Sequence, residues 1–160
     1  MSVAANGQIQ WKELTLSLAA EAHSDLDLLA DVQELANFYD NMNSTAQIVS
    51  LQVLDEDDQA GAFDVVFMKA STTLGTEGGA FAPSDAVMRN CVGLIKVVAA
   101  DYRDYTNGQF AIPQFNPFVV SSEDNSENSI WVGAVSRGAK TYTAAGLRLR
   151  IGYIRGMGAE

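Results

Sequence analysis

The chain has 160 residues, 48% of them hydrophobic, and its 20 acidic and 10 basic side chains give a formal net charge of −10. That length and composition suit a single domain with a buried core and exclude a disordered tail. No run approaches the roughly 18 apolar residues of a membrane-spanning helix. An acidic surface repels phosphate backbones, so neither a membrane nor a nucleic acid is an expected partner.

Residues 1–10 are small and polar and are expected to form a mobile arm outside a domain spanning 11–160. They lack the basic start and apolar core of a secretory signal, so synthesis in a cytoplasm is expected. Residues 11–18 alternate, with Leu14, Leu16 and Leu18 on one face and Glu13, Thr15 and Ser17 on the other, which predicts a strand. Residues 21–39 fit two templates. Leu28, Val32, Leu35 and Tyr39 are spaced as a helical face with Ser24 as its cap, while Leu26, Leu28, Ala30 and Val32 alternate as a strand. The clearest signal lies in 46–69. Val49, Leu51 and Val53 alternate with Ser50 and Gln52, a polar run from Asp55 through Gly61 interrupts, and Phe63, Val65 and Phe67 resume the pattern. This predicts an antiparallel pair at the centre of a sheet, joined by a solvated acidic turn.

Gly75, Gly78 and Gly79 mark 71–82 as an exposed loop, and 83–90 has the composition of a short helix starting near Pro83 or Ser84. Residues 92–99 are apolar on both faces except for Lys96, which predicts a central strand. Asn107-Gly108 signals a hairpin. Pro113 and Pro117 then restrict 109–118 to an edge or an extended loop. Residues 119–120 begin a short strand, 130–135 form another, and 121–129 and 136–140 are polar connections. In 147–153, Leu147, Leu149, Ile151 and Tyr153 alternate with Arg148, Arg150 and Gly152. Seven or eight short strands with turns between them predict an all-β antiparallel sandwich with one short helix.

Residues suited to chemistry are few. Cys91 is the only cysteine and lies in an apolar run, and His23 is the only histidine. Their spacing suggests no nucleophile and base pair. Clustered carboxylates at Asp55, Glu56, Asp57 and Asp58 are the metal candidate, since hard oxygens suit calcium. They do not recur at the alternate positions of an EF-hand, so a solvated turn is expected there instead. A glycosidase pair would need a cleft with aromatic sugar platforms, and none are concentrated near these acids. Gly75, Gly78 and Gly79 lack the Gly-Lys-Ser/Thr of a phosphate loop. Arg148, Arg150 and Arg155 are the one basic cluster and are expected to meet solvent or acidic neighbours. No catalytic residue, cofactor site or metal site is therefore assigned. Phe110, Phe115 and Phe118 leave two readings open, closing one end of the sandwich or docking on a partner. Ser2, Val3 and Gln8 of the arm are the other candidate partner contacts.

The stretch Leu51-Gln52-Val53-Leu54-Asp55-Glu56-Asp57-Asp58-Gln59 and its continuation to Phe67 resemble a segment of small proteins encoded by tailed bacteriophages. So do Leu74-Gly75-Thr76-Glu77, Val97-Val98-Ala99-Ala100-Asp101-Tyr102 and Thr141-Tyr142-Thr143-Ala144-Ala145-Gly146-Leu147-Arg148-Leu149. The resemblance covers most of the chain from Trp11 onwards and favours a strand over 26–35. It implies a jelly-roll-like, non-enzymatic virion component located on the capsid surface. The expected role is a decoration (cement) protein that binds the major capsid protein and bridges its subunits, with copies associating as a trimer. The rivals are a neck, tail or fibre part and a carbohydrate-binding jelly roll for host attachment. The resemblance assigns no functional residues.

Overall fold

The alternating segments fold as two opposed antiparallel sheets with apolar faces turned towards each other. The computed structural model describes residues 7–40, 44–122 and 128–156. In chain order the elements are β1 (Gln10–Thr15), β2 (Ala22–His23), β3 (Leu28–Leu35), β4 (Thr45–Asp55), β5 (Phe63–Met68), α1 (Asp85–Met88), β6 (Cys91–Val97), β7 (Tyr102–Asp104), β8 (Gln109–Ala111), β9 (Phe118–Ser121), β10 (Ile130–Ser136), β11 (Lys140–Thr141) and β12 (Leu147–Arg155). The larger sheet runs β1-β12-β4-β8-β7, with β9 also paired to β4, and the smaller runs β3-β10-β5-β6. β2 and β11 form a separate ribbon. Ile48, Leu51, Val53, Leu149, Ile151 and Tyr153 of the first sheet meet Phe63, Val65, Phe67, Ile95 and Val132 of the second in the main core. Residues 28–35 are strand, resolving the ambiguity of 21–39 against the helix. Gln10 belongs to the first strand, so the sandwich starts one residue before the expected boundary.

β4 and β5 do not pair with each other. They lie in opposite sheets, and the acidic turn carries the chain across the sandwich. A period of two specifies which side chains face inward and is silent about which strand lies alongside. The face assignment in β4 also shifts. Ile48 pairs with Tyr153 and Ser50 with Gly152, so Val49 is an extra residue in a bulge, and Ile48 replaces it among the inward side chains.

A second cluster, Leu28, Val66, Met68, Leu74, Trp131 and Val135, lies on the outer face of the smaller sheet. Phe81 and Val87 pack against it from the connection that follows β5 and from α1. Because both faces are covered, β5 and β10 are buried along their whole length. β6, expected at the centre, is instead the edge strand, with Leu94 and Lys96 exposed. Residues 71–82 are correspondingly a strap and not a free loop. Leu28 N–H donates to Gly79 O at 2.8 Å, Gly78 N–H to Leu28 O at 2.8 Å and Phe81 N–H to Leu26 O at 2.7 Å. The Asp31 carboxylate accepts from Leu74 N–H and from the Thr73 hydroxyl, each at 2.7 Å. These bonds cover the outer edge of β3, which would otherwise present unpaired backbone groups. Gly78 takes a φ of +78°, a conformation that glycine adopts without steric cost.

Two other expectations are met with a change of detail. Ser84 caps α1 by accepting from Val87 N–H at 3.3 Å. β7 and β8 form the hairpin around Asn107-Gly108, but the left-handed residue is Thr106, at φ +76°. If the strap is core, Leu74→Ala will destabilise the protein by about 2–5 kcal/mol in denaturant unfolding. A loss of only about half a kcal/mol, the value typical of an exposed loop, would contradict this packing.

Candidate functional site

The acidic turn is held from within. Asp55, the last residue of β4, is fully buried, and its carboxylate accepts from the backbone N–H groups of Asp57 at 3.0 Å, Gln59 at 2.9 Å and Ala60 at 2.7 Å. Those bonds fix a backbone in which Asp58 and Ala60 both adopt positive φ, +58° and +47°, at a conformational cost that the surrounding contacts must offset. Burial pushes the Asp55 carboxyl above the usual carboxylate range, and the amide bonds oppose that rise. The Asp57 carboxylate reaches across to Thr143, accepting from its N–H at 2.6 Å and its hydroxyl at 2.9 Å. Asp58 accepts from Gln109 Nε2 at 2.8 Å. Behind the turn, Gly61 N–H donates to the Tyr142 hydroxyl at 3.1 Å, and Gly61 O accepts from the Tyr102 hydroxyl at 2.9 Å. Burial raises both phenols well above their ordinary range, so they remain protonated. The turn, β7, β8 and the segment after β11 are thereby tied together.

The expectation of a uniformly solvated turn is thus corrected: Glu56 and Asp58 are exposed, Asp57 is half-buried and Asp55 is buried. Among the described residues, no group of three or more His, Cys, Asp or Glu side chains could hold a metal ion. The sequence did carry the relevant signal. An aspartate that ends a strand and accepts from the amide two residues on is an Asx turn, a structural device as ordinary as a ligand loop.

The other candidates are dispersed. His23 is buried in β2, with Nε2 3.1 Å from Ala19 O, whereas Cys91 in β6 borders the outer core and lies 3.5 Å from Gly93 O. Phe115 and Phe118 pack against the main core. The Phe118 ring lies edge-on to Phe67 at 5.7 Å and directly against Gly93, closing the sandwich between β9 and β6. Phe110 is half-buried and paired with Leu54 on the outer side of the larger sheet. Gln8 is exposed just before β1, and Ser2 and Val3 lie outside the described residues. Of the basic cluster, Arg155 has a structural position, donating to Phe38 O at 3.1 Å and lying 2.8 Å from Asp40.

Arg148 and Arg150 lie on a surface that the sequence reading did not assemble, the outer face of the larger sheet. Trp11, 41% exposed, lies over Gly152 with ring carbons 3.0 Å from where a Cβ would stand. The Arg150 guanidinium is 5.4 Å from the Trp11 ring centre and donates to Gln52 Oε1 at 3.1 Å. Arg148 Nε lies 2.8 Å from a Glu56 carboxylate oxygen. The register continues this row from Arg148 through Leu54 and Phe110 to Arg103. Val119, on β9, is 64% exposed. A cleft of about 470 Å³ opens elsewhere, lined by Asp25, Asp64, Lys96 and Arg137. There Arg137 already pairs with the buried Asp64 at 2.7 Å.

No protein-family model matches the chain, and no curated protein matches it.

Asp55→Ala removes the acceptor of three part-buried amide donors and will cost at least about 2–3 kcal/mol, while Asp58→Asn stays within about half a kcal/mol. Urea unfolding of both variants checks this contrast, and equal small losses would contradict it. Calcium should leave the melting temperature unchanged. A calcium-dependent rise abolished by Asp57→Asn would establish a metal site instead.

Proposed function

We propose that the chain is a structural virion protein, a capsid decoration (cement) subunit that binds the outer shell and bridges neighbouring major capsid subunits. The resemblance of residues 51–67 and three further segments to small tailed-phage proteins supports this reading. The strand order supports the jelly-roll part of it. The chain passes from β1 to β3, β4, β5, β6, the β7–β9 run, β10 and β12, filling one sheet as β1-β12-β4-β8 and the other as β3-β10-β5-β6. That arrangement is the order expected of two interleaved Greek keys.

The observation that carries the proposal is the contrast between spent and presented groups. Asp55, Asp57, Tyr102 and Tyr142 hold turns together, while Trp11, Leu54, Val119, Arg148 and Arg150 stand ordered on an open sheet face. Such a surface binds; it does not supply an acid, a base or a nucleophile to a substrate. With a net charge of −10 per copy, dense packing on a shell needs short-range burial to overcome repulsion. That repulsion is screened beyond about 8 Å at physiological salt. Binding to the intact shell then stabilises it by mass action. A host-glycan role has one feature in its favour, the solvent-facing Trp11 beside Arg150 and Gln52.

Purified protein should co-sediment saturably with undecorated shells, resist moderate salt and raise the temperature at which the shells rupture. Removing residues 2–9, which leaves β1 intact, should lower the occupancy. Absence of shell binding would refute the proposal, as would a copy number matching a neck or tail ring. Glycan-array binding lost on Trp11→Ala would favour the attachment role.

A further inference from the structure

Exposed apolar surface and positive charge coincide on one side of this acidic molecule. Among the described residues, six of the nine exposed large hydrophobics, Ile9, Trp11, Leu54, Tyr105, Ile112 and Val119, lie in or next to strands of the larger sheet. The outer face of that sheet also carries Arg103, Arg148 and Arg150, set against Glu13 and the neighbouring Glu56. Three arginines against two glutamates leave this face with one positive charge in excess, on a chain whose total is −10. Tryptophan and arginine are the side chains most enriched at binding hot spots. Here both are held in place before any partner arrives, Trp11 by Gly152 and Arg150 by Gln52, so little conformational freedom remains to be lost on binding.

The complementary surface lies on the same molecule, beside the strap at the edge of the smaller sheet. Glu21, Asp25, Asp27, Asp31 and Glu77 gather there. Glu21 abuts Gly78, Asp27 bridges to Ala80, and Glu77 accepts from Asp31 N–H at 3.2 Å. The nearby cations are Lys140, across from His23, Arg137, already paired with Asp64, and Lys96, which lines the cleft beside Asp25. The two surfaces belong to opposite sheets, so one copy cannot bring them together. A two-fold contact of the arginine face with itself would oppose two surfaces of the same net sign. A head-to-tail contact sets unlike charges together.

We propose that copies of this chain associate head to tail, with the Trp11–Arg150 face of one copy docking on the acidic flank of the next. This assigns the copy-to-copy contact of the proposed decoration subunit and can be tested without a shell. A heterologous contact of this kind closes into a ring when the rotation between copies permits.

The test is native mass spectrometry and sedimentation velocity on the full chain. Wild type should form a discrete assembly. Arg148→Glu with Arg150→Glu, and separately Val119→Asp, should raise the dissociation constant at least tenfold with melting temperatures unchanged. Asp25→Lys should do the same from the other side. Mixing the arginine and aspartate variants should restore association, because each supplies the surface the other lacks. A monomeric wild type, or an aspartate variant that assembles as wild type does, would overturn the proposal. Monomers that still bind shells would overturn this contact alone and leave the proposed function standing. Copies that assemble but ignore shells would do the reverse.

Discussion

The fold depends on one buried carboxylate. Asp55 ends the longest strand of the sandwich, and its three amide bonds turn the chain out of the larger sheet and into the smaller one. Without that crossing, β5 would not enter the opposite sheet, and the faces of β4 and β5 would have nothing to close on. The neighbouring tyrosines extend the constraint: Tyr102 and Tyr142 grip Gly61 from both sides, which joins the crossing to the start of β7 and to the segment leading into β12. A carboxylate with its acceptor sites met by amide donors is tolerable in a core where an unpaired one is not. The acidic character of the turn is thus an outcome of structural need at Asp55 and Asp57, while the exposed Glu56 and Asp58 meet Arg148 and Gln109 at the surface.

The second constraint is coverage. β5 and β10 are apolar on both sides because the strap and α1 lay a further core over the outer face of the smaller sheet. The larger sheet has no such cover among the described residues, and its outer side chains are a seated tryptophan, arginines braced by Gln52 and Glu56, and isolated valine and leucine side chains. The asymmetry between the two outer faces links fold to function. One face is sealed by its own chain and the other is not, and the proposed binding role rests on that difference.

Much of this was legible in the amino-acid sequence, and the failures have a common cause. In β12, Leu147, Leu149, Ile151 and Tyr153 all point inward as their alternation requires, and the all-β sandwich follows from several such segments. Alternation reports faces and not neighbours, so the pairing of β4 with β12, 90 or more residues away in sequence, was out of reach, and two adjacent segments were joined instead. The bulge at Val49 reversed one face because a single extra residue has no signature in composition. Burial supplied by distant chain misled in both directions. β6 is apolar yet lies at an edge, and the Gly-rich strap conceals Leu74, which is 1% exposed. Of the candidate surface, the alternation of Arg148 with Arg150 was visible. The seat for Trp11 at Gly152 required the register of β1 against β12. Phe115 and Phe118 illustrate the converse, since aromatic residues between prolines suit a docking loop and a packed closure equally well until Gly93 is found beneath the ring.

The most direct test of this account is residue-resolved amide hydrogen exchange across the acidic turn. If the Asp55 carboxylate is the clasp on which the crossing depends, the amides of Asp57, Gln59 and Ala60 will exchange only through global unfolding, with protection equal to that of the β5 and β10 amides. Exchange of those three amides at the rate of an open loop, while β4 and β5 stay protected, would show that the crossing is held by something other than Asp55.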